Sequence, residues 1–172
     1  GYLYQFHYPS VVDLKKAVQV AYHETLASAK AIKIYHEMNL DGQIGIILNL
    51  TPSYPRNEND PEDVKAARLA DAFFNRSFLD PAIKGTFPED LVLLLKELDY
   101  LPEYTQSELE LIKHNTIDIL GINYYQPRRI MKKESTERLS DKPMPDDYFD
   151  NYIWPERKMN PYRGWEIYEK GI

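Results

Sequence analysis

Apolar and small residues recur at helical spacing through Leu14, Val18, Ala21, Thr25, Ala29, Ile32 and His36, predicting a helix over about 13–38. Asp13 suits the positive end of that helix, and Asn39 and Gly42 stop it. The run "QIGIILNL" (43–50) is short, apolar and bounded by turn residues, which predicts a buried strand. "TPSYPRNENDP" (51–61) reads as a loop, and Pro61 opens a helix to about residue 79 at the first-turn position proline tolerates best. Further helices are predicted over 89–98 and, from a capping box between Thr105 and Glu108, to about residue 115. A second apolar run, 117–124, ends abruptly in Asn123, Tyr124 and Tyr125. It reads as a strand buried on both faces.

The alternation of helices and strands implies an α/β fold with parallel strands. Two strands are marginal by themselves, because a parallel sheet is normally covered on both faces. Residues 126–164 are polar, interrupted by five prolines and without sustained periodicity, so they read as a long irregular loop region. The 172 residues are therefore expected to form a single incomplete domain, a piece of a larger α/β protein. Exposed strand edges in such a piece predict self-association as a homodimer.

Composition narrows the function classes. At 43% hydrophobic and 28% charged, the chain reads as soluble and globular. A net charge of -6 argues against nucleic-acid or anionic-membrane partners. Residues 1–10 lack the basic start of a signal peptide, and no apolar run reaches the roughly 20 residues of a membrane span. Zero cysteines exclude thiolate metal sites and suit a reducing cytoplasm. Fourteen tyrosines offer apolar faces with hydroxyls, a surface suited to sugars or to protein partners.

Chemical motifs are sparse. His7, His23, His36 and His114 form no metal-binding pattern, and neither a phosphate loop nor a nucleophile elbow occurs, so no metal or cofactor is expected. Arg128, Arg129, Lys132 and Lys133 in "PRRIMKKE" read as a solvated surface loop. The carboxylates of "NENDPED" and "PDDYFD" sit where they cap or solvate, and no acid/base pair emerges. Asn49 and Asn123 both finish predicted strands, and the C-terminal ends of parallel strands form the functional face of βα architectures.

Together, "GYLYQFHYP", "QIGIILN", "IDILGINYY" and "GWEIYEKGI" resemble glycoside hydrolase family 1, the retaining β-glycosidases, over essentially the whole chain. "TPSYP" after Asn49 is similar to the bacterial branch that includes 6-phospho-β-glucosidases. The resemblance implies a partial (β/α)8 barrel containing about strands 5 and 6. It also implies that both catalytic glutamates, in T-x-N-E-P and E-N-G motifs, lie outside this chain, so the fragment alone is expected to be inactive on β-glucosides or 6-phospho-β-glucosides. By the same resemblance Tyr125 matches the residue whose hydroxyl contacts the nucleophile, and Asn123 a polar residue beside it. His7 and Asn49 match positions on the leaving-group side, and Trp165 matches an aromatic platform there. "FHYPSVVD" departs from the family's "GxHxPG", which affects the expected shape around His7. The alternative is a non-catalytic carbohydrate-binding or assembly module that stacks sugars on Tyr124, Tyr125 and Trp165.

Overall fold

Asp13 starts the first helix as expected: its Oδ1 accepts the Lys16 backbone N–H at 3.1 Å. The computed structural model describes residues 1–171, in the order α1 (Leu14–Glu37), β1 (Gly45–Leu50), β2 (Ser53–Pro55) and α2 (Pro61–Asp71). A π-helical turn (Ala72–Arg76) leads into α3 (Ser77–Lys84), α4 (Glu89–Glu97) and α5 (Gln106–His114). Then come β3 (Ile119–Tyr124), β4 (Arg128–Lys132), β5 (Phe149–Asn151), β6 (Lys158–Met159) and β7 (Glu166–Ile167). No described helix is long and apolar enough to cross a membrane.

The chain divides into two compact units, one of residues 1–48 and 76–121, the other of residues 49–75 and 122 onward. The first is helical around Tyr22, Leu26, Ala29 and Ile112, with Phe87, Leu109 and Leu111 packed against them. The Tyr22 hydroxyl donates to Glu108 Oε2 at 3.3 Å; burial and that carboxylate push the phenol up to about 12. The capping box forms as the sequence predicts, with Thr105 N–H donating back to Glu108 Oε2 at 2.8 Å. Gly85 ends α3 with φ +69°, and a Cβ there would strike the Lys113 backbone, so no other residue fits.

β1 and β3 pair in a two-stranded sheet among the described residues. Ile44 N–H donates to Asp118 Oδ2, and Asn123 Nδ2 donates to Asn49 Oδ1. Both pairs are 74 residues apart, and a constant offset means parallel strands. The expectation that both strands are buried on two faces is not met: Ile47 is 70% exposed, Ile119 52% and Ile122 45%. Neither strand has a second sheet neighbour among the described residues, so nothing extends the ladder on the far side.

The second unit contains strands that the sequence reading took for loop. Within 51–61, residues 53–55 form β2, and within 126–164 lie β4, β5 and β6. β4 is the centre of a three-stranded sheet, parallel to β2 (Tyr54 opposite Arg129) and antiparallel to β5 (Ile130 opposite Asn151). Ala66, Ala67 and Ala70 give α2 a flat side, so it packs closely on Ile130 and Phe149, with Phe73, Phe74 and Tyr148 around them. Asp63, fully buried, accepts Arg56 Nε at 3.1 Å and the Lys132 N–H at 2.8 Å, and Lys132 Nζ reaches Asp60 Oδ2 at 2.9 Å.

At the π-helical turn Asn75 takes on the work of a strand. Its Oδ1 accepts the Thr51 N–H at 2.9 Å and its Nδ2 donates to the Thr51 carbonyl at 3.0 Å, just beyond the end of β1. The side-chain amide thus satisfies both backbone groups of a residue that has left its ladder.

Candidate functional site

β3 delivers its last residues alternately to opposite sides, as a pleated strand must. Asn123 is exposed and donates from Nδ2 to Asn49 Oδ1 at 2.9 Å. Tyr124 points the other way, half-buried, and donates its hydroxyl to the Tyr168 carbonyl at 2.7 Å. Burial pushes the Tyr124 phenol up, which keeps it a donor. Tyr125 follows, 51% exposed, and its ring lies 5.2 Å from that of Trp165 at an interplanar angle of 51°.

Trp165 sits immediately before β7, where the Asn160 N–H donates to its carbonyl at 2.8 Å. Gly164 bends the chain just before it with φ +67°, and the Arg163 guanidinium lies 5.8 Å from the indole. The next residue, Glu166, is buried. Its N–H donates to Gln126 Oε1 at 3.3 Å, and its carboxylate accepts three hydrogen bonds from Arg129, from Nε at 3.2 and 3.3 Å and from Nη2 at 2.6 Å. The Arg129 guanidinium is also packed against three rings, Tyr54 at 5.1 Å, Trp154 at 4.5 Å and Tyr168 at 4.4 Å.

These contacts correct the reading of the basic cluster as a solvated loop. β4 alternates: Ile130 enters the core, Arg128 stacks on Phe74 at 3.9 Å, and Arg129 projects into the aromatic group beside Glu166. Lys132 and Lys133 are paired with Asp60 and Asp150. The signal available in the sequence was the apolar Ile130 and Met131 amid the charges, which fits a strand better than a loop.

Of the five residues singled out by sequence, the structure joins Asn49 to Asn123 and Tyr125 to Trp165, all in the second unit. His7 belongs to the first unit, where it is exposed and its ring meets Phe6 edge-on at 4.6 Å. The amide pair retains free hydrogen-bonding capacity, since one bond uses one donor and one acceptor of two carboxamides. The exposed indole and phenol provide an apolar platform with a hydroxyl. Glu166 is held by Arg129 and buried, so it cannot serve as an acid or base for a bound molecule. Among the described residues no group of three or more histidine or carboxylate side chains is arranged to hold a metal ion.

A platform of aromatic rings beside strand-end amides has clear relatives. The glycosyl hydrolase family 1 model matches residues 1–172. The chain is 60% identical over its full length to the 6-phospho-beta-glucosidase GmuD of Bacillus subtilis, covering 37% of that protein. It is 33% identical to beta-glucosidase A of Acetivibrio thermocellus, covering all of this chain and 36% of that one. Among solved structures, the family 1 β-glucosidase from Thermotoga maritima superposes with a TM-score of 0.79 at 28% identity, over 99% of this chain and 35% of that one. The chain thus spans about a third of the length of the relatives it matches. It belongs to glycosyl hydrolase family 1.

Proposed function

We propose that the whole protein is a retaining β-glycosidase acting on β-glucosides or 6-phospho-β-glucosides, and that this chain is its central part, around barrel strands 5 and 6. The observation that carries the reading is the exposed Tyr125–Trp165 ring pair on a family 1 chain, with the Asn49–Asn123 amides on the same unit. The 60% identity to GmuD favours the phosphorylated substrate. Neither T-x-N-E-P nor E-N-G occurs in the 172 residues, so both catalytic glutamates are assigned to other parts of the protein, and the chain alone is inactive.

In the intact enzyme two carboxyls about 5 Å apart form and then hydrolyse a glycosyl-enzyme intermediate with retained configuration. Tyr125 donates its hydroxyl to the nucleophilic carboxylate, which favours the ionised form and fixes its direction. Asn123 adds a hydrogen bond beside it. Asn49, His7 and Trp165 line the leaving-group side, where the indole stacks on the departing group without demanding a particular hydrogen bond. The absence of cysteine and the net charge of -6 favour a cytoplasmic enzyme with no nucleic-acid or membrane partner.

Sequencing the coding DNA on both sides and assaying the intact protein with and without a substrate 6-phosphate tests this. Flanking T-x-N-E-P and E-N-G motifs with turnover of either substrate is expected. A start codon before Gly1 and a stop after Ile172 would overturn it. The exposed Trp165 would then favour the second reading, a sugar-binding module, in which the chain alone binds a β-glucoside saturably and Trp165→Ala weakens that binding.

A further inference from the structure

We infer that the Arg129–Glu166 pair is a positioning element that sets the angle of the Trp165 platform against Tyr125, and so determines selectivity among leaving groups. This rests on the function proposed above.

The argument begins with how little else fixes Trp165. β6 and β7 pair over two positions only, Lys158 opposite Ile167 and Met159 opposite Glu166, and a ribbon that short is not stable by itself. Glu166 supplies the missing anchorage at two points. Its N–H holds Gln126, the residue after Tyr125, and its carboxylate holds Arg129 on β4, the central strand of the unit. The tryptophan and the tyrosine are therefore each one residue from a joint of the same Glu166-centred frame.

Arg129 is well suited to be the fixed end. Its side chain is only 13% exposed and that of Glu166 8%, so the pair is shielded from water and from salt. Tyr54, Trp154 and Tyr168 pack against the guanidinium, and Tyr54 stands opposite Arg129 in the parallel ladder. A planar fork gripped by rings and by a carboxylate has one orientation, which a lysine at the same place would not reproduce. Because side chains alternate along β7, the bond that draws Glu166 inward turns Trp165 to the opposite side. The pair touches no substrate; it acts through the indole.

The test uses the intact protein, assayed with an aryl β-glucoside and with β-glucosyl fluoride, each with and without a 6-phosphate. The fluoride leaving group has no ring to stack, so it reports on the site without the platform. Arg129→Met is expected to lower kcat/KM for the aryl substrate about tenfold, mainly through KM, while the fluoride changes by less than about twofold. Arg129→Lys should restore little of the loss, since it keeps the charge and loses the fork. In a Trp165→Ala background the Arg129→Met effect on the aryl-to-fluoride ratio should vanish. Should Arg129→Met fail to fold, Glu166→Gln, nearly identical in shape, carries the same test. An equal fall for both substrates, no change in either, or a ratio effect that persists without the indole would overturn the inference. A wild-type protein that turns over none of these substrates would overturn the proposed function and the inference with it; an active wild type with an unmoved ratio overturns the inference alone.

Discussion

Asn49 and Asn123 meet side chain to side chain at 2.9 Å, with the same 74-residue offset that separates Ile44 from Asp118 at the other end of the strands. The two tips are thus brought level by the parallel register itself, and the amide contact follows from it.

In the intact enzyme, Asn123→Ala should therefore cost activity rather than stability. Both amides are exposed, so the melting temperature should hardly move, whereas losing one hydrogen bond to substrate and one to Asn49 should lower kcat/KM by about tenfold. Calorimetry beside steady-state kinetics decides the matter; a large drop in melting temperature would mark a folding role instead.

Removing the Tyr125 hydroxyl should change the pH profile as well as the rate. Tyr125→Phe deletes a donor to the ionised nucleophile, which raises that carboxyl's pKa. The acid limb of kcat/KM should move to higher pH, with kcat down about tenfold or more. An unchanged acid limb would place the hydroxyl elsewhere.

Stability should respond separately in the two packed regions. Ile130→Ala empties the centre of the α2–sheet core and should cost about 2–5 kcal/mol. Thr105→Ala, which removes one side of an intact capping box, should cost about 1 kcal/mol. Urea unfolding of the intact protein reads both.

Acid should loosen the second unit through Asp150. Burial works to raise this carboxyl, but Lys133, the N–H groups of Glu134 and Ser135 and the Ser135 hydroxyl overcome it and hold it well below the ordinary aspartate value of 3.8. A depressed carboxyl contributes stability in full above its ordinary value and loses it as pH falls below that value. Asp150→Asn should be less stable than wild type at pH 6, with the difference shrinking below about pH 4. A difference independent of pH would remove the charge from the explanation.

The isolated chain should self-associate, because Ile47, Ile119 and Ile122 leave apolar surface beside unpaired strand edges. A homodimer is expected in sedimentation equilibrium at concentrations on the order of tens of micromolar, and Ile47→Lys should shift it toward monomer. A monomer throughout that range would contradict the expectation.

The helix starts were legible because each is written in adjacent residues: Asp13 with Lys16, Asp60 with Pro61, Thr105 with Glu108. β2 and β5 were not, since three residues are too few for periodicity and β2 contains a proline. Arg129 was misread for a different reason. Its carboxylate lies 37 residues downstream and its rings come from three separate stretches, so nothing near it in sequence distinguishes it from a surface cation. The aromatic pair at Tyr125 and Trp165 was foreseeable only through the family's motifs, because the ring contact joins residues that no local pattern connects.

The π-helical turn at Ala72–Arg76 makes this part of the chain count its residues. Deleting one between Ala72 and Phe74 would let the turn close as ordinary α-helix, yet it would carry the next side chain about 100° around the axis. The amide now facing Thr51 would swing away, and a strand tip two residues beyond Asn49 would lose both its backbone partners. Substitutions here change surfaces; a change of length changes which residue answers the strand. In a scan of single deletions this turn should be intolerant out of proportion to its place in a helix, where losing one residue is otherwise absorbed by the nearest loop.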